Sequence, residues 1–348
     1  MTDYSISTIY TSDSEANKKI DALLKQEGIR RDANLDYTCV IYNSNNDVIA
    51  TGSCFKNTLR CLAIDKHYQG EGLMNMIVTH LIDYQQNRGN AHLFVYTKSN
   101  AARFFTDLGF FEITRVDDAL VFMENRPNGF RNYLANLKKG RSKSLNNSSV
   151  VINANPFSLG HKYLVEDASK KAEELHLFIV SEDASLFPFS VRKKLILDGT
   201  AHLKNIIYHE TGPYLISSST FPSYFLKDDQ SVIRTQALLD INIFTKIAEE
   251  LSISSRFVGE EPFSTVTGIY NDIMKNKLPL SGIDYHEIPR LTIGEEVISA
   301  SKIRQLIKND DLRSVEKLVP SSTLNFLETL EGKKIIEKIK SSKNVVHY

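Results

Sequence analysis

The sequence predicts two successive α/β domains: an α+β unit over residues 1–137 and a doubly wound parallel-sheet unit over residues 150–348. Three observations lead there. At roughly 150 residues per domain, a chain of 348 residues suggests two domains rather than one. The stretch Lys138-Lys-Gly-Arg-Ser-Lys-Ser-Leu-Asn-Asn-Ser-Ser149 is small, polar and basic with no apolar period, so residues 138–149 read as a linker. Beyond it, strand and helix patterns alternate.

Composition narrows the class. The hydrophobic fraction is 42% and the charged fraction 24%, which excludes a disordered, collagen-like or disulfide-scaffold chain. Lys+Arg and Asp+Glu both number 42, so no global positive field exists to hold nucleic acid. The opening residues lack a basic region followed by an apolar core, and no apolar run is long enough for a membrane span. Cys39, Cys54 and Cys61 match no zinc spacing, and they read as reduced thiols in a cytoplasmic protein. The basic tail Glu331–Tyr348 reads as a fraying surface helix.

In the first domain, Leu59–Ile64 suits a strand, and Leu73, Met76, Ile77, Leu81 and Tyr84 recur on one face of a helix ended by Arg88-Gly89. His92–Tyr96 reads as a strand and Asn100–Leu108 as a helix stopped by Gly109. Phe111–Val116 and Leu120–Glu124 read as a hairpin. Gln69, Gly70 and Gly72 occupy the turn between strand and helix, where backbone N–H groups can approach a pyrophosphate; a plain structural turn fits the glycines equally well. The segments Gln69-Gly-Glu-Gly-Leu-Met74 and Asn100-Ala-Ala-Arg-Phe-Phe-Thr-Asp-Leu-Gly-Phe110 resemble the GNAT acetyltransferase family, whose loop holds the coenzyme A pyrophosphate. Met74 replaces a small residue of that pattern. Phe105 stands where many members carry a tyrosine acid, and a phenyl ring has no proton to give. The resemblance therefore implies a domain that binds a coenzyme-A-like arm, or is vestigial, rather than one that transfers acetyl groups.

The second domain opens with the buried-strand pattern Ser149–Ala154, broken at Asn155-Pro156. A helix begins at Ser158-Leu-Gly-His161, with Leu164, Ala168 and Leu175 on its buried face, and Leu175–Val180 is the next strand. In such a βαβ unit nucleotides bind at the carboxyl ends of the strands. Gly160 permits close backbone approach, His161 can aim an N–H at a phosphate on the helix end, Ser158 adds a hydroxyl and Lys162 a charge. Asn153, Asn155, Pro156 and Phe157 of the same turn are, with Gly160, candidate nucleotide-binding residues. This segment resembles the His/Thr-x-Gly-His signature of the nucleotidyltransferase superfamily. About 140 residues later, Ile298-Ser-Ala-Ser-Lys-Ile-Arg304 resembles its second signature, in which Ser299, Ser301 and Arg304 would hold the β- and γ-phosphates of ATP. No Glu or Gln stands three residues after either serine, so a capping box is not expected there.

A GNAT-like domain followed by a Rossmann-like, cytidylyltransferase-like domain resembles the citrate lyase ligase family. Supporting stretches are Asn153–Glu166, Val180–Phe189, Arg256–Phe263 and Val266–Asn271. The resemblance implies an acid–thiol ligase that uses ATP with Mg²⁺ to form acetyl-AMP from acetate. It then acetylates the thiol of the dephospho-CoA-derived prosthetic group on the citrate lyase acyl carrier subunit, with His161, Ser158 and Lys162 at the chemistry. No tightly bound organic cofactor is expected. The alternative is a nucleotidyltransferase that adenylates a small phosphate-containing substrate.

Overall fold

The computed structural model describes every residue except 1–3, 140–143, 145–146, 216–220, 223, 225, 227–228, 262–264, 295, 344 and 346–348. Two compact units emerge: 1–132 with 221–242, and 133–220 with 243–348. The expected division at 137 and 150 is linear along the chain; residues 221–242, far downstream, cluster with the first unit. Parts of the expected linker lie outside the described residues, and its last three, Asn147, Ser148 and Ser149, are buried in a strand. Asn147 Nδ2 donates there to the Leu251 carbonyl at 2.8 Å.

The first unit is a seven-stranded sheet made from β1 (Ile6–Ile9), β2 (Tyr37–Tyr42), β3 (Val48–Phe55), β4 (Thr58–Ile64), β5 (Phe94–Thr97), β6 (Phe111–Val116) and β7 (Leu120–Glu124). Its order is β1-β2-β3-β4-β5-β7-β6, and β4 with β5 is its parallel pair. The period of two along β2 sends Cys39 and Ile41 to one face and Val40 to the other. Helix α1 (Ser14–Gln26), capped by Asp13, buries Ile20, Leu23 and Leu24 on the Val40 face. Helix α2 (Leu73–Asn87) buries Leu73, Ile77, Val78 and Leu81 on the opposite face, each worth about 1.5–3 kcal/mol. Met76 and Tyr84 lie at the margin of that stripe, Tyr84 stacking on Tyr37. Helix α3 (Ala102–Asp107) adds Ala102 and Phe105 to the same core cluster. All three cysteines are buried, free thiols, and burial pushes each up to about 12.

Helix α4 (Gly129–Leu137) leads toward the second unit. There β8 (Asn147–Ile152), β9 (Glu174–Ile179), β10 (Ile206–Glu210), β11 (Ile253–Gly259) and β12 (Asp284–Ile288) form a wholly parallel sheet in the order β10-β9-β8-β11-β12. Helices α5 (Leu159–Lys171), α6 (Phe189–Thr200), α7 (Asp229–Leu251) and α8 (Thr265–Lys277) lie between its strands in sequence, and α9 (Ala300–Lys308), α10 (Leu312–Glu316), α11 (Ser321–Glu328) and α12 (Leu330–Ser341) follow it. The buried face of α5 is Val165, Ala168 and Ser169, while Leu175 belongs to β9. The chain winds outward from β8 through β9 to β10, then restarts at β11 on the other side. The switch point therefore lies at the carboxyl ends of β8 and β11, where ligands bind in open α/β sheets.

The tail departs from its reading as a fraying surface helix. Helix α12 buries Ile335, Ile336 and Ile339 in the core, and Val345 follows them inside. The lysines of α12 face outward around this stripe; the charge run had hidden an amphipathic helix. Among the described residues no helix is long and apolar enough to cross a membrane.

Candidate functional site

At the switch point the chain leaves β8 through Asn153, Ala154, Asn155, Pro156 and Phe157 before α5 begins. Ala154 adopts φ 53°, a left-handed conformation that costs a side-chain-bearing residue about 1–2 kcal/mol. Two buried guanidiniums hold the turn. Arg192 donates to the Asn153 carbonyl and side chain, to the Val180, Glu182 and Phe187 carbonyls, and is wholly buried. Arg304 donates to the Asn155 carbonyl at 2.5 Å and to the Val345 carbonyl at 2.6 Å. Phe157 is buried, its ring 6.1 Å from that of His161 and near parallel to it.

The first turn of α5 settles what each residue there offers. Leu159 N–H donates to the Leu318 carbonyl. His161 N–H donates to Ser158 Oγ, and Ser158 N–H donates to His161 Nδ1 at 3.2 Å. A backbone donor on Nδ1 makes that nitrogen an acceptor, so the neutral ring carries its proton on Nε2. Ser158 Oγ also lies 2.8 Å from Nδ1. Ser158 therefore orients His161 and sets its tautomer. What remains, among the described residues, is the Gly160 N–H and the His161 Nε2–H, two donors at the positive end of α5.

Burial pushes the His161 imidazole down to about 4, assisted by the positive charges of Arg290 and Arg304. At neutral pH it is thus an uncharged donor. Arg304, of the second signature, donates to the Asn155 carbonyl beside the first, which puts the two distant signatures in one place. A second contact agrees: a Cβ added at Gly160 would lie 3.3 Å from the Ile298 carbonyl, so α5 meets the segment entering α9. Ser299 is the N-cap of α9, its Oγ accepting from Lys302 N–H. A capping hydroxyl still has its own hydrogen to donate. Arg304, 3% exposed, also donates to Ser301 Oγ, so it ties α9 to the β8 turn and the last segment. Lys162 reaches along α5 toward Glu166 at 3.7 Å, away from the helix N-terminus, and His202 shares that carboxylate.

The first unit holds a different kind of site. Residues Leu62–Ile64 of β4 and Tyr96–Thr97 of β5 lie beyond the last paired residues, Leu59 and Val95, so the strands diverge. A cavity of about 840 Å³ occupies the gap, lined also by Gln69, Gly70, Gly72, Met74 and Phe105. Gly72, at φ 79°, is the N-cap of α2 and supplies no side-chain cap, so the first-turn N–H groups there have no capping side chain. Met74 packs against the α2 cluster while bordering the cavity.

Residues 4–110 match the model of the acetyltransferase (GNAT) family, and residues 147–327 match that of the citrate lyase ligase C-terminal domain. A [citrate [pro-3S]-lyase] ligase of Escherichia coli is 36% identical over 331 residues, covering 92% of this chain and 94% of that protein. Proteins of the same name from Haemophilus influenzae and Klebsiella pneumoniae are each 36% identical over 89% and 91% of this chain and 94% of their own length. The chain belongs to the citrate lyase ligase family.

Within this family member, two site features escaped the sequence reading. Arg290 donates to the Glu260 carbonyl, pairs with the Glu261 carboxylate and reaches the Ile298 carbonyl. It follows β12 directly, on the carboxyl side of the sheet, and that position was its one available signal. Arg192 sits inside a helical pattern where nothing marks a buried cation. Glu260 is exposed and Glu261 turned inward, as adjacent residues require. Pro262 and Phe263, which closed one of the quoted stretches, lie outside the described residues.

Proposed function

We propose that the chain is an ATP-dependent ligase that activates acetate and acetylates the acyl carrier subunit of citrate lyase. An acetate oxygen attacks the α-phosphorus of ATP, the bond to the β-phosphate oxygen breaks, and pyrophosphate leaves. The carrier thiol, losing its proton, attacks the acetyl carbon; the bond to AMP breaks and a thioester remains. The observation that carries this reading is the His161 Nε2–H, fixed by Ser158 beside the Gly160 N–H at the switch point. Donors held where charge develops on phosphorus need no protein nucleophile.

Arg290 supplies a cation that bears on the His161 ring, and Ser299 a hydroxyl at the start of α9, so both are placed on the phosphates. Arg304 and Arg192 act behind them as positioning residues. Among the described residues no cluster of three His, Cys, Asp or Glu could hold a metal. Magnesium would therefore ride on phosphate oxygens and water, offsetting their charge.

In the first unit, the bare N-terminus of α2 suits the pyrophosphate of the carrier's prosthetic group, and the cavity suits its pantetheine-type arm. Phe105 brings no acid to that cavity, which supports holding over transfer. Incubating the full chain with ATP, acetate and deacetylated citrate lyase tests the whole reading. The carrier subunit is expected to gain the mass of one acetyl group only when both ATP and acetate are present. A carrier whose mass is unchanged would overturn the proposal.

A further inference from the structure

The cavity of the first unit passes through its sheet. Leu73, Met74, Phe104 and Phe105 line it on the α2 face, and Glu27, Ile29, Ala63 and Tyr224 on the α1 face. Of its described lining residues, Tyr224 alone comes from beyond residue 108. The chain brings Tyr224 back to this unit with the segment 221–242. Its backbone carbonyl accepts from Arg30 N–H at 2.7 Å, and Arg30 donates again to the Leu226 carbonyl. The phenol is 6% exposed, packs with Cys61 and Ala63, and its oxygen takes a hydrogen bond from the Cys61 backbone.

The place where it docks matters. Ser53 pairs with Arg60 and Thr51 with Ala63, so β4 carries one extra residue; Cys61, at φ 50°, lies in this bulge. The bulge stands where β4 begins to part from β5. The open end of the gap adjoins the N-terminus of α2, and the narrow end adjoins Cys61. An arm whose phosphates sit on α2 would run through the gap with its sulfur toward Tyr224. Buried beneath are the Arg60–Asp32 pair at 2.7 Å and Asp32 N–H on Cys61 Sγ, which leave this wall little room to yield.

Resting on the reading that the first unit holds a pantetheine-type arm, we propose that Tyr224 is the end stop of the cavity and limits the length of acyl group that the arm can carry on its sulfur. Each methylene beyond the limit then meets a packed aromatic ring. Short acyl chains are accepted and long ones excluded, whichever acid the second unit activates.

Equilibrium binding of coenzyme A, acetyl-, butyryl- and hexanoyl-coenzyme A to the full chain reads this directly. Coenzyme A and its acetyl ester are expected to bind within about threefold of each other, and the hexanoyl ester at least tenfold more weakly. Tyr224→Ala should flatten the series, and Tyr224→Phe, which keeps the ring, should preserve it. A flat series in the unmutated chain overturns the end stop, as does a series equally steep in folded Tyr224→Ala. Should that variant not fold, a coenzyme A thioether ending in a diazirine, photolysed on the unmutated chain, decides. Labelling of Tyr224 supports the proposal, and labelling confined to other residues overturns it. No saturable binding of coenzyme A itself would overturn the arm reading, and the end stop with it.

Discussion

The N-termini of α2 and α5 share one plan, a strand with a parallel neighbour followed by a turn and a helix, and reach opposite states. Gly72 caps α2 in a left-handed conformation and leaves its first turn without a side-chain cap. Ser158 and His161 cap α5 reciprocally, so that nearly every donor of its first turn is committed. A bare helix end offers several N–H groups and a partial positive charge, which suits holding an anion. A capped end gives up that breadth and fixes one imidazole in one tautomer, which suits stabilising charge in a transition state. On the proposed function, the two units divide holding from chemistry.

Breaking the tie behind the α5 site should have the largest effect. Arg304→Met leaves the buried carbonyls of Asn155 and Val345 unsatisfied, at a cost of about 2–5 kcal/mol in urea unfolding, and should also abolish acetate-dependent pyrophosphate release. A variant of unchanged stability would show that the guanidinium does not hold the turn. Ser158→Ala should slow pyrophosphate release about 10–100-fold and lose about 1 kcal/mol of stability, with Ser158→Thr restoring both. Recovery of stability without recovery of rate would break the link between the cap and the ring. Gly72→Ala should be milder. Nothing lies within 4 Å of the new Cβ, so its effect is the roughly 1–2 kcal/mol of a left-handed backbone, read as weaker coenzyme A binding with adenylation unchanged.

The pH dependence sharpens the same contrast with the smallest change. His161 is lowered from its ordinary 6.5 to about 4, so the free enzyme keeps the neutral donor above that range. The kcat/KM for adenylation should carry no His161 inflection near 6.5. Stability behaves differently. His161 and His209, the latter lowered by burial and by His176 to about 3, bind protons more readily unfolded than folded. Their contribution is complete above 6.5 and is lost as pH falls from there toward 3–4, so urea midpoints should decline across that window.

Much of this was legible because it rests on local patterns. The hairpin Phe111–Val116 with Leu120–Glu124 appears with those very limits, and the helix at Leu73 ends at Asn87, one residue before the Arg88-Gly89 stop. The two phosphate signatures could be read because glycine, serine and histidine at a strand–helix turn have few other reasons to occur together. Roles were harder. Ser158 and Ser299 carry hydroxyls in the expected places, but whether a hydroxyl gives its hydrogen to a ligand or to a neighbouring ring depends on angles no spacing encodes. Arg192, Arg290 and Tyr224 were invisible because their partners lie far along the chain or are backbone carbonyls, which every residue has.

The neutral His161 donor is the centre of the account, and acetate-dependent pyrophosphate release by His161→Ala tests it most directly, with ATP affinity measured by calorimetry on the same preparation. A fall of about 10²–10³-fold in turnover, with ATP affinity within about threefold of the unmutated chain, is expected. Near-unchanged turnover in the folded variant would contradict it.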